Sequence, residues 1–528
     1  MTTPSQGRAA TAPVPKRETF SSRKLFILSA IGSAVGLGNI WRFPYVAYDN
    51  GGGAFLIPYL CALLTAGIPL LFLDYSIGHK FRGSAPLAYR RLHRAAEPLG
   101  WWQVLVCFII AIYYAVIIAW AAMYTFFSFT KAWGDNPGDF LMVNFLQVAK
   151  VPTLGFDYVS GVFWPLLVAW IVVISIMVAG VNKGISRANA VFLPLLVVMF
   201  VLLVVASLFL PGAADGLNAF FTPNWEALGD PGVWAAAYGH IFFSLSVAFG
   251  IMITYSSYLK RKTDLTGSGM VVGFANSAFE ILAGIGVFAA LGFMAQSSGG
   301  DISKVVDAGI GLAFVAFPTI VSQAPLGALL GVLFFGSLVF AGITSLISIL
   351  EVIVAAIQDK MGWPRVKSAL AVTLPVGLIS IVLFPTTTGL YLLDTFDAFV
   401  NSFGIMLGAL VAVIVVAWCL RKLPLLSRHL NRYASVKMKG TWMVLVAVIV
   451  PLALAYMLIN EFITKIQTPY EGYPVWFLGV FGWGMAAALV VVAVILTFIP
   501  WSRNSKANHD PEYDAVKSAE DAEEGALR

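Results

Sequence analysis

The sequence predicts an all-α polytopic membrane protein with about 12 transmembrane helices, built as a five-plus-five inverted repeat whose helices 1 and 6 are broken. Three observations carry that expectation. Of 528 residues, 59% are hydrophobic and only 11% charged, with a mean hydropathy of +0.84. Soluble domains carry about a quarter charged residues, so lipid must be the solvent for most of this chain. The apolar residues are gathered into long continuous runs, which suit helices, whereas membrane strands alternate over segments of about ten residues. Glycines and hydroxyls interrupt the first and sixth of these runs at a similar depth.

The elements follow in chain order. Residues 1–23 are polar, with no signal-peptide core, and read as a cytoplasmic segment. A helix needs about 20 apolar residues to cross the hydrocarbon. On that basis a first repeat, 24–211, holds spans near 24–48, 53–77, 102–129, 162–180 and 188–211. An external connection, 212–233, leads to a second repeat, 234–420, with spans near 234–258, 268–296, 328–357, 367–385 and 391–420. Residues 421–500 add spans 11 and 12, near 441–463 and 474–499. The end, 501–528, reads as a cytoplasmic acidic tail, solvated and disordered. Of two longer external stretches, 130–161 and 297–327, the second carries an apolar pattern from Val305 to Val321 that suits short helices capping the outer face.

Loop charges fix the orientation. With both termini inside, 28 of the 33 basic residues fall on the cytoplasmic side, and five (Arg42, Lys131, Lys150, Lys304, Lys465) fall outside. That asymmetry satisfies the positive-inside rule; the expected location is the cell's inner (plasma) membrane, with both termini cytoplasmic. The asymmetry also accounts for the basic balance without nucleic acid. Cys61, Cys107 and Cys419 all lie in apolar runs, which argues against a disulfide framework. The five histidines are scattered, and neither they nor the acids form the cluster that a membrane enzyme would need.

Two spans depart from plain anchors. Gly32, Gly36 and Gly38 sit mid-span in the first, and each weakens a helix by roughly 1 kcal/mol relative to Ala. Phe242-Phe243-Ser244-Leu245-Ser246-Val247-Ala248-Phe249-Gly250 interrupts the sixth. Glycines that pack helices closely are the simpler explanation for the first span alone; two interruptions five spans apart point to broken helices. Unwound backbone at membrane depth survives only where protein or a cavity satisfies it. Its carbonyls can bind a cation and half-helix N-termini a carboxylate. Arg42, Asp74, Glu280, Glu351 and Asp397 are costly in lipid and should face the interior.

Gly36-Leu37-Gly38-Asn39-Ile40-Trp41-Arg42-Phe43-Pro44, followed by Asn50-Gly51-Gly52-Gly53-Ala54-Phe55, resembles the signature of the neurotransmitter:sodium symporters. The resemblance runs through Tyr113-Tyr114, the Phe-Phe-Ser-Leu-Ser run, Asn276, Glu280 and Ala341-Gly342-Ile343-Thr344-Ser345, and covers the chain from about Arg17 to the twelfth span. It implies the fold of the bacterial leucine-type transporters and two co-transported Na+ ions. One ion would take the Ala34 carbonyl, Asn39, Asn276, Ser244 and the substrate carboxylate. The other would take the Gly32, Val35 and Ala341 carbonyls with the Thr344 and Ser345 hydroxyls. Such hard oxygen sets suit an alkali cation.

The same resemblance implies a substrate pocket of Leu37, Gly38, Gly36, Ile110, Tyr114, Phe243, Ser246, Phe249 and Ile349. Gly36 stands where monoamine carriers have aspartate, so an intact amino acid is expected. Ala248, where glycine is frequent, should narrow the pocket. Alanine or methionine is favoured, since the sequence is similar to the actinobacterial methionine/alanine importers, some of which work with a small membrane subunit. Implied gates pair Arg42 with Asp397 outside and Arg17 with Asp359 inside, assisted by Tyr258. Gly184 and Pro194 match a pattern whose local unwinding would admit water to the second sodium site. Glu280 implies a built-in negative charge and chloride independence, beside Tyr59 and a His240 that replaces the usual glutamine. The expected function is therefore sodium-driven import of a small neutral amino acid by alternating access. Alternatives are a sensor of the same fold or a carrier of another zwitterion such as a betaine.

Overall fold

The computed structural model describes residues 18–300, 302, 309–508, 510, 513, 514, 517 and 518. Ten helices are long and apolar enough to cross a membrane, beginning at Gly53–Phe81 and ending at Val475–Phe498. The first span is a bent pair, Arg23–Ala34 and Leu37–Asp49, turned by 55°. The sixth is also divided. Pro231–Ser244 ends where Ser246 (φ +52°) and Ala248 (φ +64°) enter the left-handed region, and Ile251–Ser257 resumes after Gly250 (φ +90°). Counting both divided spans, the described residues hold twelve, and each lies within a few residues of its expected position.

The two breaks have different causes. In span 1, Val35 leaves helical geometry (ψ 96°) and Gly36 is extended, so the chain steps sideways without positive φ. In span 6 two non-glycine residues occupy the left-handed region, at about 1–2 kcal/mol each, so neighbouring groups must hold them. Asp74, buried in span 2, does this in part: its Oδ2 accepts the Ala248 N–H at 2.9 Å. Ser246 Oγ donates to the Ser33 carbonyl at 3.0 Å and ties the breaks together.

Span 8, Gly327–Met361, lies along span 3, which runs from Arg94 to Thr130. Between spans 7 and 8 the short apolar helix Gly309–Gln323 lies on the outer side, where Phe314 stacks edge-on against Trp41 and Trp120. Span 5 opens with a π-helical turn, Val181–Ile185, and continues as an unbroken helix, Ser186–Leu208, through Pro194. The expected unwinding at Gly184 and Pro194 is thus a change of helical pitch. Its first amide, Val181 N, is capped by the Glu18 carboxylate at 2.5 Å.

Within the C-terminal segment, residues 501–508 are not solvated as expected but pack against the start of span 3 and the end of span 8. Trp501 Nε1 donates to Glu97 Oε1 at 2.8 Å, and Ser502 N donates to the Lys360 carbonyl at 3.1 Å. Arg91, from the loop after span 2, reaches Asp510 at 2.7 Å and lies over the Tyr513 ring. An aromatic and charges of opposite sign on the first intracellular loop outweigh the polar composition that suggested disorder.

Candidate functional site

The site forms where the breaks in spans 1 and 6 meet spans 3, 7 and 8. Gly36 N donates to Asn39 Oδ1 at 2.8 Å, which fixes the Asn39 amide and leaves that oxygen a free lone pair. The other end, Nδ2, donates to Asn276 Oδ1 at 2.9 Å and Glu280 Oε1 at 3.1 Å. Asn276 Nδ2 reaches Ser244 Oγ at 2.5 Å. Asn39, Ser244 and Asn276, expected together from three distant segments, are thus brought into one network with at most 3% exposure.

Glu280 is fully buried and takes four donors. Tyr59 OH donates to Oε2, while Ser244 Oγ (2.5 Å), His240 Nε2 (2.7 Å) and Asn39 Nδ2 (3.1 Å) converge on Oε1. Four hydrogen bonds onto one carboxyl group engage both of its oxygens. His240 Nδ1 is buried without a partner among the described residues.

Beside this network Gly36 faces Ser345 and Tyr114. Tyr114 OH accepts from Leu37 N at 3.5 Å, at the N-terminus of the outer half of span 1. A Cβ at Gly36 would stand 3.0 Å from Ser345 Oγ and 3.3 Å from Tyr114 OH; one at Gly38 would stand 2.5 Å from the Phe243 ring. Ile110, Ser246, Phe249 and Ile349 are all buried. Phe249 is held by its carbonyl, which accepts from Cys107 Sγ at 3.1 Å.

The second oxygen set falls between spans 1 and 8. Thr344 Oγ1 donates to the carbonyls of Phe340 and Ala341, both at 3.0 Å, which leaves its lone pairs free. Thr344 Cβ stands 3.5 Å from the position of an absent Cβ on Gly32. Ala34, Val35, Ala341 and Ser345 are buried in the same region.

The outer gate differs from expectation. Among the described residues Arg42 and Asp397 form no ion pair: Arg42 is exposed and lies over the Phe243 ring, 5.0 Å from its centroid. Asp397 Oδ1 accepts from Tyr113 OH at 2.7 Å. Each charge is satisfied separately, and pairing in water would gain little.

On the inner side Arg17 lies outside the described residues. Asp359 accepts from Ser84 N at 2.8 Å and approaches Lys506 at 3.8 Å. Tyr258 OH donates to Glu351 Oε1 at 2.6 Å, and Arg365 pairs with Glu351 at 2.7 Å. Outside the membrane, Arg23 at the start of span 1 meets Asp264, which caps span 7, at 3.3 Å. Burial raises the Asp264 carboxyl, but hydrogen bonds from Gly267, Ser435 and Thr266 outweigh it and hold the group below the ordinary value.

Sequence reasoning read Asp74 only as a costly charge, and it missed Glu18 and Lys506, whose contacts are with neighbours remote in sequence.

Two divided spans with buried oxygen sets at their breaks, inside ten apolar helices, define a secondary transporter of the inverted-repeat kind. Residues 17–138 and 134–504 match the profile of the sodium:neurotransmitter symporter family. An uncharacterised sodium-dependent transporter of Methanocaldococcus jannaschii is 41% identical over 91% of this chain and 97% of its own length. A sodium- and chloride-dependent glycine transporter 2 of Xenopus laevis is 30% identical over 92% of this chain and 69% of its own. The crystal structure of MhsT with L-phenylalanine aligns at a TM-score of 0.70 and 32% identity, covering 84% of this chain and all of that one. The chain belongs to the sodium:neurotransmitter symporter family, whose members are transporters and not enzymes.

Proposed function

We propose that this protein imports a small neutral amino acid with two Na+ ions, by alternating access and independently of chloride. The observation that carries the reading is the Asn39–Ser244–Asn276 network at the breaks of spans 1 and 6, closed on one side by Glu280. One Na+ takes the Ala34 carbonyl, the Asn39 and Asn276 amide oxygens, Ser244 and the substrate carboxylate. Sharing that carboxylate makes each ligand raise the other's affinity, reciprocally. The second takes the carbonyls of Gly32, Val35 and Ala341 with the hydroxyls of Thr344 and Ser345.

The amides of Leu37 and Gly38 and the Tyr114 hydroxyl face the substrate carboxylate, while Ile110, Phe243, Phe249 and Ile349 line its side chain. Gly36 leaves room for that carboxylate and carries no charge against it. A glycine transporter among the relatives and a phenylalanine bound to MhsT support an amino acid as cargo. Glu280 supplies the negative charge that chloride would otherwise bring. The loop charges support cytoplasmic termini in the plasma membrane. Energetically, an inward positive charge yields about 2.3 kcal/mol per 100 mV, so two Na+ ions suffice to concentrate a zwitterion severalfold.

Uptake of labelled alanine and methionine into proteoliposomes tests this, with Na+, K+ or H+ gradients imposed separately and chloride replaced by gluconate. Accumulation only with Na+, unaffected by gluconate and abolished by Asn39→Ala, is the expected result. Binding without accumulation would instead indicate a sensor.

A further inference from the structure

Asn189, on span 5, is fully buried, and its two ends have different surroundings. One end of the amide stands 3.0 Å from the Ile185 carbonyl. A carbonyl only accepts, so this end must be Nδ2, and the orientation of the amide is determined. Oδ1 then points away from the Ile185 carbonyl and has no hydrogen-bond partner among the described residues. It lies 2.5 Å from where a Cβ on Gly32 would stand, a point also 3.5 Å from Thr344 Cβ. The unpartnered oxygen is thus aimed at the place where Gly32 and Thr344 meet, between spans 1 and 8.

An unpartnered amide oxygen in such burial costs about 1–3 kcal/mol, and packing against Gly32 alone would be served as well by an apolar side chain. The cost is relieved if Oδ1 has a cationic partner. Hard oxygens from amides, carbonyls and hydroxyls are the ligands an alkali cation takes.

We propose that Asn189 Oδ1 is a further ligand for the cation held by Gly32, Val35, Ala341, Thr344 and Ser345. This rests on the reading of those residues as a sodium site. It adds span 5 as a third wall, so a shift of that helix away from span 1 withdraws one ligand and weakens the ion's hold. The π-helical turn directly below, Val181–Ile185, carries the carbonyl that orients the amide, so a change of pitch there turns Oδ1 as well.

The test compares Asn189→Leu, Asn189→Ala and Asn189→Asp in the full chain. Leu keeps the shape without the oxygen, and Asp keeps the oxygen. The readouts are 22Na+ binding and the sodium-induced rise in melting temperature, both without substrate, and the half-saturating Na+ for uptake. Substrate binding at saturating Na+ serves as the folding control. Leu and Ala should each weaken sodium about tenfold, while Asp stays within about twofold of native. A Leu variant with native sodium binding would overturn the proposal. Thr344→Ala separates the two levels. If it weakens sodium while Asn189→Leu does not, only the Asn189 assignment falls. If neither changes sodium binding, the reading of the whole set as a sodium site falls with it.

Discussion

Asp74 on span 2 accepts the Ala248 N–H on span 6 at 2.9 Å, and Ala248 is held there at φ +64°. An acidic side chain in one helix thus stabilises an unfavourable backbone in another, beside the break from which the pocket is built.

Removing that acceptor should release the break. Leaving the Ala248 N–H buried without its acceptor costs about 1–3 kcal/mol. Asp74→Ala is expected to lower the melting temperature and reduce uptake at least tenfold. Asp74→Asn, which keeps an acceptor oxygen, should retain most of both. Thermal unfolding in detergent alongside uptake checks this, and an Ala variant equal to native would remove Asp74 from the account.

Gly36 should tolerate no side chain. A Cβ would press on Ser345 Oγ at 3.0 Å and Tyr114 OH at 3.3 Å. Gly36→Ala is expected to raise the half-saturating amino acid concentration about tenfold, by displacing Tyr114. Gly36→Asp should abolish amino acid uptake, since two carboxylates then share one space. Competition by amines lacking a carboxylate in the Asp variant would show whether charge alone sets that preference.

Glu280 and His240 make a pair of predictions. Glu280→Ser removes the built-in charge, so uptake should become dependent on added chloride. His240 donates from Nε2 to Glu280 at 2.7 Å while Nδ1 has no partner. His240→Gln, which still offers a donor to Glu280, should keep uptake within about twofold of native, whereas His240→Leu, which offers none, should lower it about tenfold. Equal uptake in the two variants would remove this hydrogen bond from the account.

Lys506 approaches Asp359 at 3.8 Å with both side chains nearly buried. Lys506→Ala should loosen the cytoplasmic closure and raise hydrogen–deuterium exchange over 501–508 and in the inner half of span 1, with little change in melting temperature. Unchanged exchange would show that Trp501 and Arg91 suffice to hold the segment.

Composition and run length were enough for the twelve spans, because the bilayer imposes helices of set length and leaves few alternatives. The breaks were also legible: three glycines in span 1 and Ser244 to Gly250 in span 6 weaken a helix locally. The outer gate was not. Arg42 is satisfied by the Phe243 face and Asp397 by Tyr113, contacts that depend on how far apart spans 1 and 10 stand. The packing of 501–508 was not legible, because composition reports what a segment can bury by itself and Trp501 is partnered from elsewhere; the acidic end at 519–528 lies outside the described residues.

The sequence by itself determined the membrane setting, the number of spans and which two are divided, since each depends on hydrophobic length and local helix propensity. Only the tertiary structure decided that Asp74 holds Ala248, that four donors converge on Glu280, and that Asn189 turns an oxygen toward Gly32. Those relationships join residues separated by tens to hundreds of positions. They follow from how the helices pack, since in lipid a buried polar group can find a partner only within the bundle.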